Sequence, residues 1–201
     1  MTDAIQTIRA AATVVVWRDT GAGPELLMGQ RGAAAAFMPS KYVFPGGAVD
    51  PGDAAPLEFL APLCAHRLAL LSPPPAPPVQ ALVGAARREL AEETGLDLLP
   101  TARLRFIFRA ITPPGRSRRF DARFFLANAA SLAGDLDDFN AASDELSHLH
   151  WIGIAKARGL DLPFITEVVI AEVIALLSGQ DQPGVPFFDN SGSTPVFRRL
   201  A

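Results

Sequence analysis

Residues 73–78 read "PPPAPP", five prolines in six positions, and this tract limits the fold more than any other stretch of the chain. No helix runs through it and no central strand includes it, because each proline ring removes a backbone donor and crowds a preceding carbonyl. An extended, polyproline-like spacer is what remains. Before it lies "DAAPLEFLAPLCAHRLALL" (Asp53 to Leu71), which starts as an apolar helix; after it comes a new helical run through Leu82, Ala86 and Leu90. The break therefore falls between two helices.

Strand signals flank this region on both sides. "TVVVWRD" (Thr13 to Asp19) is β-branched and closes in the turn cluster "TGAGP", and "ELLMGQR" (Glu25 to Arg31) follows, which together predict a hairpin. "KYVFPGGAVDPGD" (Lys41 to Asp53) is a short strand entering a Gly/Pro-rich loop. "RLRFIFRAITP" and "FDARFFLAN" are apolar strands on either side of the turn "PPGRSR", and "LSHLHWIGI" (Leu146 to Ile154) is a further strand. "FITEVVIAEVIALLSG" (Phe164 to Gly179) has the spacing of a buried helix, with Gly179 as its stop. The tail from Gln180 reads as loop lying against the body. Strands, helix, strands, helix predicts an α/β or α+β fold with a mixed sheet, in one domain over residues 1–201.

The formal net charge of −3 gives no general attraction to nucleic acid or anionic membrane, so neither is an expected partner. No stretch reaches the roughly 20 apolar residues that cross a bilayer. The start has no signal-peptide pattern, and a lone cysteine, Cys64, forms no internal disulfide, so a cytoplasmic location is expected. Cys64 sits in an apolar run and reads as a buried thiol.

Chemistry concentrates in "AARRELAEETGLDL", Ala85 to Leu98. At about 100° per residue, Glu89, Glu92 and Glu93 share one arc of a helix, next to the packing stripe of Leu82, Ala86 and Leu90. Arg88 and Glu92 stand i, i+4, and Gly95 is placed to end the helix in the left-handed conformation. Such a run is either a solvated face or a place where crowded carboxylates are relieved by a hard cation. Arg116, Arg118, Arg119 and Arg123 crowd one turn, where they are solvated charges or phosphate contacts, with Arg119 and Arg123 favoured because they lie in or beside a strand. His148 and His150 alternate on a strand and read as packing or surface, not ligation.

The loop "FPGGAVDPGD" followed by "RELAEETGL" resembles the signature of the Nudix hydrolases, G-x5-E-x7-R-E-U-x-E-E-x-G-U. Arg88 to Leu96 fits every specified position, Gly46 and Gly47 supply the loop, and Asp53 stands where the first glutamate would. Between Asp53 and Arg88 lie 34 residues in place of seven, so the box is split by an insertion at about 54–80. The resemblance implies the Nudix fold, a mixed β-sheet sandwiched between helices. It also implies Mg²⁺ or Mn²⁺ held by Glu92, Glu93 and Glu89, with Glu89 as ligand or general base and Arg88 in the catalytic set. Glu145, with Asp144 beside it, precedes a strand where many family members keep an acid, and so is a candidate base. Arg31 ends a strand near the presumed cleft and is a candidate substrate contact.

"FMPSKYVFPGGAVD", the inserted box and "ITPPGRSRRFDARFFL" further resemble the branch that holds the mammalian peroxisomal coenzyme A diphosphatase with an interrupted box. That branch implies hydrolysis of coenzyme A or acyl-CoA to 3′,5′-ADP and a 4′-phosphopantetheine. The internal arginine and glycine of the more widely shared coenzyme A motif are missing from "LLMGQRGAAAAFMPSKYVFPGG". The alternatives are a Nudix pyrophosphatase acting on ADP-ribose, dinucleotides or nucleoside triphosphates, and a Nudix-like binding module without turnover. In every case the expected partner is a small-molecule diphosphate. The inserted helix packs on the domain, contributes to a homodimer, or covers a pantetheine or acyl chain.

Overall fold

The computed structural model describes residues 7–70 and 76–200. Strands β1 (Ile8–Thr20) and β2 (Gly23–Arg31) form the expected hairpin, closed where Thr20 Oγ1 donates to the Gly23 carbonyl. Short strands β3 (Tyr42–Val43) and β4 (Gly46–Ala48) follow. A 3-10 turn (Leu57–Phe59) and α1 (Cys64–Leu70) make up the described part of the insertion, and α2 (Val79–Thr94) begins directly after Pro78. Then come β5 (Asp97–Leu98), β6 (Arg105–Ile111), β7 (Arg119–Asn128), β8 (Leu132–Ala133) and β9 (Leu146–Gly153). The chain ends in α3 (Ile154–Ala157), α4 (Phe164–Leu177), β10 (Val185–Asp189) and β11 (Val196–Leu200).

The main sheet is mixed, in the order β11-β10-β6-β7-β1-β2-β3, with β4 on β1 and β9 on β2. Its centre is the parallel pair β1–β7, in register from Ile8↔Arg119 to Trp17↔Asn128. The other edge of β1 is shared: Ala11 to Thr13 pair with β4, whereas Trp17 to Thr20 pair with β2. Where the two neighbours part, the sheet opens and a helix on one face can reach the other. The face with Ala12, Val14 and Val16 packs under α2, and the face with Val15, Phe124 and Leu126 packs under α4, so the sheet lies between helices as expected. Burying both faces stabilises the fold at about 25 cal/mol per Å² of apolar surface. No helix among the described residues is long and apolar enough to cross a membrane.

The split in the box is closed in space. Ala55 N–H donates to the Gln80 carbonyl (3.0 Å), so the chain leaves for the insertion and returns at neighbouring points. Gly84 permits this: a Cβ there would collide with the backbone of Ala54. The insertion also pairs with the body, through Ala61 N–H to the Leu104 carbonyl (2.8 Å) and Leu104 N–H to the Phe59 carbonyl (2.6 Å). Cys64 is buried, and its Sγ accepts from the Phe106 N–H at 3.3 Å. Prolines 73 to 75 lie outside the described residues. The tail differs from expectation. Rather than loop, residues 185–200 form a β10–β11 hairpin that extends the sheet through Phe187↔Arg109 and Phe188↔Ala110.

Candidate active site

Helix α2 stops at Gly95, which takes φ +75° and donates its N–H to the Ala91 carbonyl at 2.9 Å. Its acidic face then divides by spacing. Glu89 and Glu93, four residues apart, point inward and are 9% and 1% exposed, while the side chain of Glu92 is 54% exposed. Glycines allow the close packing here, Gly47 against Glu89 and Gly46 against β1. A Cβ on Gly47 would collide with the Glu89 carboxylate, and one on Gly46 would meet Thr13 Cα at 2.6 Å. The Gly46 N–H donates to Glu93 Oε2 at 2.7 Å. Gly46 and Gly47 thus lie in the short strand β4, with the carboxylates at the gap where β4 and β2 part.

Arg88 organises the face. Its Nε and Nη2 reach Asp53 Oδ1 and Oδ2 at 2.8 and 2.9 Å, and Nη2 also donates to the Ala48 carbonyl at 2.9 Å. Nη1 reaches Glu89 Oε1 at 2.8 Å and Glu92 Oε2 at 3.1 Å. The bidentate fork is a contact that lysine cannot copy. Asp53 also accepts from the Asp50 N–H at 2.7 Å. Both its oxygens are engaged in locking the loop to the helix, so the shorter arm serves as anchor. Burial alone would raise the Asp53 pKa, but the Arg88 hydrogen bonds and charge, with the Asp50 N–H, outweigh it and hold the carboxyl below its usual range.

The inward glutamates move the other way. Burial is the main cause that lifts Glu93 to about 8, with the charges of Glu89 and Glu145 adding to it against the Gly46 N–H and Arg31. Glu89 is raised by burial and by Glu92 and Glu145, against its Arg88 contact. A carboxyl held near neutrality beside other carboxylates is a place where a cation would be gained. Among the described residues no three His, Cys, Asp or Glu side chains are grouped as a ready-made metal cage. The donors nonetheless fit a hard divalent cation: all are carboxylate oxygens, and Glu93 Oε1 is buried without a hydrogen-bond partner.

Part of this cluster lines a cleft of about 1230 Å³, which Glu93 and Asp53 do not reach. Glu89, Glu92, Glu145 and Arg88 line it, together with Arg31, Arg9 and Asp50. Arg116 and Arg118 also line it, as do the apolar Phe120, Phe164 and Phe188. Glu145 stands just before β9, where Leu146 pairs with Arg31.

Arg119 and Arg123 are not brought to this cleft. Along β7 the even positions Phe120, Ala122 and Phe124 face it, so the odd positions face the other way. Arg123 is fully buried, pairs with Asp121 Oδ2 at 3.0 Å, and is pulled down to about 10, chiefly by burial. Asp121 also takes a fork from Arg109, at 2.8 and 2.7 Å. Arg119 donates to the carbonyls of Thr112 (3.1 Å) and Ser191 (2.9 Å). Arg119 therefore ties the sheet to its tail, while Arg123 is paired within its own strand. Period-two alternation, applied from the apolar Phe124, is the signal that would have chosen Arg118 over Arg119. Arg9, at the start of β1, had no signal of its own. His148 and His150 stack at 4.5 Å away from the cleft lining, with Tyr42 Oη on His148 Nδ1.

The family model described as NUDIX domain matches residues 78–176. No curated protein matches the sequence significantly. Among solved structures, a NUDIX hydrolase from Alicyclobacillus acidocaldarius is 26% identical, with a TM-score of 0.61 over 86% of this chain and 93% of that one. The NUDIX domain of Shewanella oneidensis NrtR, solved with ADP ribose, shares the fold at 13% identity and TM-score 0.59, over 86% and 90% of the two chains. A C. elegans Ap4A hydrolase shares it at 18% identity and TM-score 0.56, over 86% and 99%. This chain carries a NUDIX domain on the Nudix hydrolase fold, and it is a hydrolase acting on diphosphate bonds.

Proposed function

We propose that this hydrolase cleaves the diphosphate of coenzyme A or acyl-CoA, releasing 3′,5′-ADP and a 4′-phosphopantetheine. The observation that carries the reading is the composition of one continuous cleft. Its lining brings together the carboxylates Glu89, Glu92 and Glu145, the arginines Arg116 and Arg118, and apolar side chains such as Phe120, Phe164 and Phe188. Mg²⁺ or Mn²⁺ is held by Glu89, Glu92 and Glu93, and supplies charge neutralisation and an acidified water when bound. Arg88 keeps Glu89 and Glu92 in place from below. Glu145 or Glu89 takes the proton from the attacking water. Arg31 and Arg9 contact the diphosphate, Arg116 and Arg118 suit a sugar-borne phosphate, and Phe164 and Phe188 suit a pantetheine or acyl arm.

A second reading keeps the chemistry and changes the substrate. Phe37 and Phe120, edge to face at 5.3 Å in the cleft wall, suit a stacked base, and ADP ribose is bound by the NUDIX domain of NrtR. Mass analysis of the products from coenzyme A with Mg²⁺ tests the first reading. It predicts 3′,5′-ADP and 4′-phosphopantetheine, absent with Glu92→Gln. Intact coenzyme A under both Mg²⁺ and Mn²⁺, with turnover of ADP-ribose, would replace it by the second.

A further inference from the structure

Glu145 is carried by a long excursion, residues 134–145, between β8 and β9. It lines the same cleft as Glu89, and its charge is felt by both Glu89 and Glu93. The loop is tied close to the site by one main-chain bond, from Ser143 N–H to the Glu92 carbonyl at 2.7 Å. Ala141 also packs against Gly95. A second tie lies well outside the cleft, and it is built from side chains.

Arg18, near the far end of β1, is cross-strand from Glu25 and donates to it at 2.8 Å. Its Nη1 reaches Asp137 of the loop at 2.8 Å, and its guanidinium lies 4.4 Å over the ring of Trp151. Trp151, on β9 opposite Leu27, donates its indole N–H to the Leu136 carbonyl at 2.8 Å. One strand-borne arginine and one strand-borne tryptophan thus grip adjacent loop residues. The gripped segment is itself stiffened. Asp137 N–H donates to Asp135 Oδ1 at 3.1 Å and Asn140 N–H to Asp138 Oδ1 at 2.9 Å, while Leu136 and Phe139 pack on the α2-side core. None of Arg18, Trp151, Leu136 or Asp137 lines the cleft.

We propose that Arg18 and Trp151 are positioning residues for hydrolysis: together they latch the 134–145 loop so that Glu145 stands beside the buried carboxylates of α2. The proposal rests on the reading that Glu145 takes part in the reaction. An exposed arginine–aspartate pair alone holds weakly; the stacked indole and its hydrogen bond make the contact a fixed one. Glu25 holds the arginine from behind. The latch sits at the far end of the loop from Glu145, so it sets position and does no chemistry.

The test is a double-mutant cycle of Arg18→Ala and Glu145→Gln, with kcat and KM measured on coenzyme A and Mg²⁺. ADP-ribose takes the place of coenzyme A if only it is turned over. Arg18→Ala is expected to lower kcat about tenfold with KM within about twofold, short of the hundredfold that about an ångström of misplacement can bring. Added to Glu145→Gln it should lower kcat no further, because the latch acts through that carboxylate. Trp151→Phe keeps the ring and loses the N–H, and should give a smaller fall of the same kind. Amide exchange in the metal-free protein should quicken at 134–145 in Arg18→Ala and nowhere else. Multiplicative losses in the double variant, or quickened exchange across β1, β2 and β9, would overturn the latch while leaving Glu145 its role. A wild-type kcat in Glu145→Gln would instead remove the reading of Glu145, and the latch with it.

Discussion

Replacing Glu93 by glutamine separates the cost of the site from its use. In the metal-free protein the folded-state pKa of Glu93 is about 8, against 4.5 for the free side chain. Between those values the folded chain keeps a proton that the unfolded chain has released, so stability falls as pH rises. The contribution is fully present below pH 4.5 and is lost as pH passes through about 8. At about 1.4 kcal/mol per pH unit of difference, the loss is on the order of 5 kcal/mol, a large share of a typical folding free energy. Glu89, raised in the same sense, adds to it. Glutamine keeps an oxygen for the Gly46 N–H but never ionises. Urea unfolding in EDTA from pH 5.5 to 8.5 should show the wild-type midpoint falling and the Glu93→Gln midpoint falling much less, with m unchanged. Excess Mg²⁺ should restore the wild type at pH 8.5, since a ligand of the folded state stabilises it by mass action. Parallel pH curves for the two proteins would refute the account of Glu93 as a carboxyl whose burial raises its pKa.

Four other substitutions follow from the same geometry. Arg88→Lys loses the fork on Asp53 and the ties to Glu89, Glu92 and Ala48; kcat should fall about a hundredfold and thermal stability by about 2 kcal/mol, read by steady-state kinetics and melting. Gly47→Ala drives a methyl group into the Glu89 carboxylate, so circular dichroism should show a folded protein whose activity is at least about a hundredfold lower. Arg118→Ala should raise KM for coenzyme A about tenfold without moving the melting temperature. Arg123→Ala should do the reverse, destabilising by about 2–3 kcal/mol because it empties a fully buried charged site on the other face of the sheet.

The parts of this molecule that could be read in advance are those encoded by local periodicity. The α2 stripe of Leu82, Ala86 and Leu90, the stop at Gly95 and the β1–β2 hairpin all depend on residues close in the chain, and all stand where spacing puts them. Spacing also set Glu89, Glu92 and Glu93 on one arc, but only the register of α2 on the sheet decides that two point inward and one outward. The role of Asp53 as the partner of Arg88 depends on a contact across 35 positions, made possible because Ala55 and Gln80 meet in space. The β10–β11 hairpin was hidden for a different reason. "VPFFD" and "VFRRL" are short, and one contains a proline, so pairing with β6 rather than propensity makes them strands. Arg119 and Arg123 stand close to a basic turn in the chain, but alternation along β7 turns them away from the cleft.

The central proposal is that the inward carboxylates of α2, under the Gly46–Gly47 strand, seat a divalent cation. Manganese binding measured by electron paramagnetic resonance tests it without any substrate, by following the loss of the free-ion signal as protein is added. The wild type is expected to take up Mn²⁺ near pH 8, with Mg²⁺ competing, and Glu89→Gln and Glu93→Gln to bind at least about tenfold more weakly, as the loss of a charged ligand requires. Unchanged uptake in both variants, or none in the wild type, would contradict it.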